Sequence, residues 1–240
     1  MKIQHEFDQY ARSYETLHDE NLSMVGADSH EFLLAKLAFC ERYVRKHQLP
    51  ESERKTFLDY GCGTGRLGQV FHDRFDDRWT YVGIDPSEGS VKEAQAAIDG
   101  QKAGKPVEYK TLDVWQQEKD SYDFALAACV FHHIAPSARP AALRSVWDRV
   151  KGGGTFAIWE HNPWNPVTRR IVNTCPFDKD AILLSLPEMK KMWTNLCVSS
   201  LTGYSYVTFF PGRLRLLEPL ERLLGWLPLG GQWVFLAKKI

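Results

Sequence analysis

The chain has 240 residues, 44% hydrophobic and 25% charged, a globular balance with enough length to bury a core without staples. Lys plus Arg equals Asp plus Glu at 30 each, and no basic block exceeds two residues, so the basic face of a nucleic-acid binder is not expected. The cysteines Cys40, Cys62, Cys129, Cys175 and Cys197 are odd in number, dispersed and free of any C-x-x-C pair; this argues against a disulfide framework or a zinc site, predicts no metal, and fits the reducing cytoplasm.

Met1 to Tyr14 is polar and lacks the apolar centre of a signal peptide. The longest wholly apolar run, Phe124 to Phe131, falls far below the ~18 residues of a membrane helix. Residues 4–22 read as a helix with Phe7, Tyr10, Ala11, Tyr14 and Leu17 on one face. A second helix follows Ser29 as its cap, with Phe32, Ala35, Phe39 and Tyr43 as its stripe, and ends before Pro50.

A regular alternation then begins. Strands are predicted at Thr56–Asp59, Trp79–Ile84, Val107–Tyr109, Tyr122–Val130 and Thr155–Trp159. Helices are predicted from the glycine run to about Phe75, from Ser87 to about Ile98, and over Pro140–Val150, where Gly152-Gly153-Gly154 supplies the stop. Strands alternating with helices imply βαβ units and a parallel sheet, and the fully apolar fourth strand suits its centre. Beyond it, Asn162-Pro163 and Asn165-Pro166 read as breaks in regular structure. A helix over Glu188–Leu196, a Leu-rich helix around Leu214–Leu224, and strands at Tyr204–Phe210 and Gln232–Ala237 complete the chain, with a final antiparallel pair at the sheet edge.

The run Asp59-Tyr60-Gly61-Cys62-Gly63-Thr64-Gly65 lies between the first strand and its helix. Small residues let the backbone approach a ligand, and the helix N-terminus offers amides. Gly63-x-Gly65-x-x-Gly68 also matches the dinucleotide signature, and Asp85 follows at about the ~20-residue spacing that signature expects. An NAD(P)-dependent oxidoreductase is therefore the alternative. Three features favour S-adenosylmethionine (SAM). Gly61 opens the turn sooner after the strand than a dinucleotide loop would with Gly63. The carboxylate of Asp59 would repel a pyrophosphate and favour an ammonium. Asp113, after the third strand, offers an acceptor to an adenine amino group.

The segments Phe57 to Gly65, Val82-Gly83-Ile84-Asp85-Pro86-Ser87, Leu112-Asp113-Val114 and Phe124 to Ile134 resemble, in order, the motifs of class I SAM-dependent methyltransferases. The group most resembled is the small-molecule type related to ubiquinone and menaquinone biosynthesis, over about residues 4–160. The resemblance implies a doubly wound, Rossmann-like α/β fold with a mostly parallel seven-stranded sheet, helices on both faces and an antiparallel edge strand. It makes residues 1–240 a single domain, with 1–50 an N-terminal helical cap and 161–230 substrate-side insertions. It implies SAM as cofactor, with Asp59 and Gly65 among the cofactor-binding residues: Gly61 and Gly63 pass the methionine moiety, Asp85 takes the ribose hydroxyls, and Pro86 lies near the adenine. Asp113 and Val114 bracket the adenine edge, Ala128 or Cys129 offers a carbonyl to the ammonium, and Tyr14 covers the cofactor. Asp85 also reads as a plain helix cap, Asp113 as a surface acid, and Tyr14 as packing.

A sulfonium methyl is already activated, so catalysis consists mainly of alignment and exclusion of water, with a base needed for a hydroxyl. His132 and His133 fall at the tip of the fourth strand and His161 at the tip of the fifth. His133 is the favoured base and His161 the second, although a strand-end histidine also serves simply to bind a backbone carbonyl. Arg169 and Arg170 read either as anchors for an anionic acceptor or as a solvated helix face. Leu216, Leu220, Leu223 and Leu227 read as a stripe that packs on its own domain or meets a lipid-like substrate. A small-molecule acceptor is expected, with its identity and the oligomeric state open; a non-catalytic SAM-binding protein is the remaining alternative.

Overall fold

The computed structural model describes residues 29–47, 54–99, 106–210 and 217–240. The helix predicted over 4–22, with Tyr14, lies outside these residues. Helix α1 (Ser29–His47) begins at the expected serine. The alternating core follows as β1 (Lys55–Tyr60), α2 (Arg66–Phe71), β2 (Trp79–Asp85), α3 (Glu88–Asp99), β3 (Val107–Thr111), α4 (Leu112–Gln117), β4 (Tyr122–Ala128), α5 (Arg139–Asp148) and β5 (Val150–His161). Then come α6 (Pro166–Thr174), α7 (Leu186–Asn195), β6 (Ser200–Val207), α8 (Glu218–Leu224) and β7 (Gln232–Lys239).

One seven-stranded sheet runs in the order β3-β2-β1-β4-β5-β7-β6. Pairings from β3 through β5 are parallel; β7 is antiparallel to both β5 and β6, so the predicted antiparallel pair closes that edge. Strand order reverses between β1 and β4, where an open α/β sheet leaves a crevice at its carboxyl edge.

Period-two alternation feeds two cores. From β1, Phe57 joins Phe71, Phe75 and Tyr81 under α1 to α3, while Leu58 and Tyr60 join Trp115, Phe131, Trp147 and Trp193 on the opposite face. The aromatic layer is stacked closely, with Phe57 and Phe124 centroids 5.2 Å apart.

Three expectations are corrected. Gly152-Gly153-Gly154 do not end a helix outside the sheet; they lie inside β5, with Gly153 at φ 77° and a register shift opposite Tyr122 and Phe124. Asn165-Pro166 does not break structure but starts α6, because the Asn165 side chain accepts from the Thr168 amide at 3.0 Å and Pro166 stands where no amide is needed. Leu220 and Leu223 do not pack inward; they are exposed, as are Trp226 and Leu229.

Candidate functional site

At the carboxyl edge of β1 the chain makes a left-handed turn. Gly61, Gly63 and Gly65 have φ of 81°, 53° and 75°, a region that costs other residues Cβ strain. Their surroundings differ. A Cβ on Gly65 would stand 2.6 Å from Ala94 and from Tyr109, whose hydroxyl donates to the Gly65 carbonyl at 2.8 Å. Among the described residues, a Cβ on Gly63 would meet nothing within 4 Å. Gly65 therefore holds the turn against α3 and β3, while no described residue crowds Gly63.

The Asp85 carboxylate, at the tip of β2, ties this turn down. It accepts from the Gly63 amide and from the Ser87 amide, each at 2.9 Å. Ser87, not Asp85, caps α3, accepting from the Ser90 amide at 3.0 Å. Asp59 is buried beneath and accepts the Tyr81 hydroxyl at 2.5 Å. Burial pushes its pKa up to about 6; Asp85 adds to this, while the Tyr81 hydrogen bond and the Lys36 ammonium oppose it.

The turn opens into a cavity of about 950 Å³. Its donor-side lining includes Asp59, Gly61, Gly63, Asp85, Pro86 and Asp113, joined by Ala128 and Cys129 at the tip of β4. Helix α1 roofs it through Phe32, Leu33 and Lys36, and the Arg66 guanidinium donates to the Ser29 hydroxyl at 2.6 Å, linking α1 to α2. Gly65 and Val114 are not in this lining: the first is packed under Tyr109, and the second is 49% exposed. Lys36 and Gln232 were not singled out by sequence. Lys36 Nζ and Gln232 Nε2 each lie 3.7 Å from the Cys129 sulfur. Burial raises the Cys129 thiol pKa, but Lys36 and His161 outweigh it and bring the value down to about 7. Cys129 also holds φ 60°, the strained region at a strand tip where function concentrates.

The far end of the same cavity carries the histidines. Phe131–His133 form a 3-10 turn after β4. Glu160, fully buried at the tip of β5, binds this turn: one oxygen accepts from the amides of Val130 (2.9 Å) and Phe131 (2.6 Å), and the other meets His132 Nδ1 at 2.6 Å. Asp178 arrives from the 3-10 turn Pro176–Asp178, placing Oδ1 3.3 Å from His133 Nε2 and 3.6 Å from His132 Nε2. Burial lowers the His132 pKa, yet Glu160 and Asp178 override it and push the value up to about 10. The His132 ring is thus committed to Glu160 and Asp178 rather than available as a base near neutrality. Burial and the neighbouring His132 lower the His133 pKa, against the opposing pull of Asp178 and Glu160. His161 lines the same cavity, its ring 5.2 Å from that of His132.

Asp178 was not singled out by sequence. The signal that could have marked it is the turn-forming Cys175-Pro176 directly before an acid.

The cavity-facing side of α6 is Val167, Thr168 and Ile171. Arg169 and Arg170 are exposed and outside the lining, so the solvated-face reading applies to both. Trp164 is exposed at 54%, and Trp159 is buried with its indole N–H donating to Gln232 at 2.9 Å. Ile134, Ala138, Ala142 and Phe209 complete an apolar wall.

Residues 58–156 match a family model described as a methyltransferase domain. No curated protein matches the chain. Among solved structures, the fold is shared with a SAM-dependent methyltransferase from Thermotoga maritima, described as a possible histamine N-methyltransferase (18% identity, TM-score 0.58, covering 99% of this chain and 100% of that one). It is shared as well with the plantazolicin methyltransferase in complex with S-adenosylhomocysteine (14% identity, TM-score 0.59, all of both chains). A third is the magnesium protoporphyrin IX methyltransferase from Synechocystis with bound SAM (17% identity, TM-score 0.55, covering 88% of this chain and 79% of that one).

Proposed function

We propose that this chain, of which residues 58–156 match a methyltransferase-domain model, is a SAM-dependent enzyme that methylates a hydroxyl oxygen of an apolar small molecule by in-line displacement. One observation carries the reading: the glycine turn, Asp85, Asp113 and the strand-tip histidines all open into the same cavity. The donor end fits SAM. Gly63 leaves clear the space a side chain would fill, and buried Asp59 and Asp85 suit a ligand bearing an ammonium. Gly61 and Gly63 would pass the methionine portion, Asp85 the ribose, Pro86 and Asp113 the adenine, and the Ala128–Cys129 backbone the ammonium. The bound sulfonium supplies the activated methyl group.

At the acceptor end His133 would take the hydroxyl proton, with His161 second; its place in the cavity lining and its lowered pKa support this, while His132 is bound to Glu160. The apolar wall of Ile134, Ala142, Val167, Ile171 and Phe209 favours a lipid-like or aromatic acceptor over an anionic one. This agrees with the resemblance to the ubiquinone and menaquinone group. We read α1 (Ser29–His47) as part of a cap and the described residues from 161 to 230 as substrate-side insertions of a single cytoplasmic domain; the rest of the expected 1–50 cap lies outside the described residues. No helix among the described residues is long and apolar enough to cross a membrane.

Calorimetry with SAM against NAD(P)H tests the donor, and methyl-labelled SAM with lipid and aqueous lysate fractions tests the acceptor. His133→Ala should leave SAM affinity unchanged and slow transfer by about two to four decades. Dinucleotide binding without SAM binding would reverse the assignment. SAM binding with no labelled product in any fraction would leave a binding protein.

A further inference from the structure

The strand-tip group has a geometry that methyl transfer from SAM does not require. Among the described residues, one nitrogen each from His132 and His133 and one oxygen from Asp178 lie within 4.8 Å of one another. The Asp178 oxygen is 3.3 Å from His133 Nε2 and 3.6 Å from His132 Nε2. A tetrahedral cation with bonds of about 2.0–2.1 Å separates its ligand atoms by about 3.3–3.4 Å. The two separations from Asp178 thus stand near the spacing such an ion imposes, and the third pair lies within 4.8 Å.

The supporting residues are also arranged for ligation. Glu160 accepts from His132 Nδ1, which turns Nε2 toward Asp178. Glu160 is itself held by two backbone amides, so the ring is fixed from behind. A carboxylate behind a ligating histidine is the usual outer support of a zinc site. His132, His133 and Asp178 all line the cavity, so a fourth position would open toward the acceptor.

We propose that His132 and His133, through Nε2, and Asp178, through its carboxylate, bind one divalent cation of the zinc type, with an open coordination position on the acceptor side. Two imidazoles and a carboxylate suit a borderline cation better than a hard one such as Mg²⁺. The absence of a C-x-x-C or H-x-x-x-H pattern hid this site in the sequence; adjacent histidines meet a distant aspartate only through the fold. The inference goes beyond the methyl-transfer reading and changes the histidine roles in it: His132 and His133 would hold the cation, which would supply Lewis-acid activation of an acceptor oxygen at the open position, and His161 would be left to take the hydroxyl proton as the methyl carbon exchanges its bond to sulfur for one to oxygen.

The test uses the full chain stripped with chelator, titrated with Zn²⁺ by calorimetry and with Co²⁺ by visible absorption. The wild type should take up one equivalent and develop the Co²⁺ bands of a low-coordinate site. Asp178→Asn and His133→Ala should each weaken uptake at least tenfold, and Glu160→Gln by about 10–100-fold, the scale of outer-shell loss. Circular dichroism confirms that each variant folds; if one does not, the other and the wild-type Co²⁺ spectrum decide. No stoichiometric uptake by the wild type, or uptake unchanged in both ligand variants, would overturn the site. SAM calorimetry on the stripped protein stands apart from this, so loss of the cation site leaves the donor assignment intact.

Discussion

Replacing Asp59 with Asn should stabilise the protein at neutral pH while weakening SAM binding. The carboxylate is 4% exposed, and burial lifts its pKa from 3.8 to about 6. The folded state therefore holds the Asp59 proton more tightly than the unfolded chain does. The stability this contributes is complete below about pH 4 and is lost as pH rises through about 6. A gap of about two units at 1.36 kcal/mol each gives a cost of about 3 kcal/mol at pH 7. Asn keeps an oxygen for the Tyr81 hydroxyl but carries no charge. Urea midpoints between pH 4 and 8 should show the variant near wild type at pH 4 and more stable by about 1–3 kcal/mol above pH 6, with SAM affinity reduced by calorimetry. A difference between the two proteins that stays flat across this range refutes the buried, late-ionising carboxylate.

The two glycines of the turn should separate packing from ligand space. Gly65→Ala drives a Cβ against Ala94 and Tyr109 and should cost about 1–3 kcal/mol of stability in urea. Gly63→Ala, with nothing within 4 Å, should cost only about 1–2 kcal/mol of backbone strain but obstruct SAM measurably in calorimetry. Cys129 should alkylate with a half-maximal rate near pH 7, read site by site by mass spectrometry, while Cys40 and Cys62, whose pKa values burial raises, lag at that pH. Lys36→Gln should shift the Cys129 profile upward, since the ammonium is the largest favourable influence on the thiolate.

The donor half of the site was legible because its signals are local. A glycine turn between a strand and a helix, and acids at successive strand tips, occupy adjacent stretches of chain, and the parallel sheet aligns them automatically. Val114 falls outside the lining because α4 starts at Leu112 and its register turns that side chain outward. Gly65 falls outside it because its neighbour, Tyr109, comes from β3, a contact no spacing encodes. The acceptor half was less legible for the same reason. Asp178 reaches His133 only through the α6 segment, and α6 was hidden by reading Asn165-Pro166 as a break instead of a cap followed by a proline at the first helical position.

That hidden helix lines the cavity through Val167, Thr168 and Ile171, the side proposed to meet the acceptor, and its start is held by Asn162. This side chain is 1% exposed; it donates to the carbonyls of Pro228 (3.0 Å) and Gly230 (2.8 Å) and accepts from the Trp164 amide (3.1 Å). Beside it, Asn165 donates to Leu229 and Thr168 to Gly231, so the start of α6 is fastened to the loop entering β7. Asn162→Ala would strip three polar groups of their partners at a cost of about 1–3 kcal/mol for each one left buried. Asn162 lies outside the donor half, so SAM affinity should hold while KM for the acceptor rises, because Val167, Thr168 and Ile171 lose their fixed position. A drop in SAM affinity as large as the rise in acceptor KM would mean that the two ends of the cavity are not built independently.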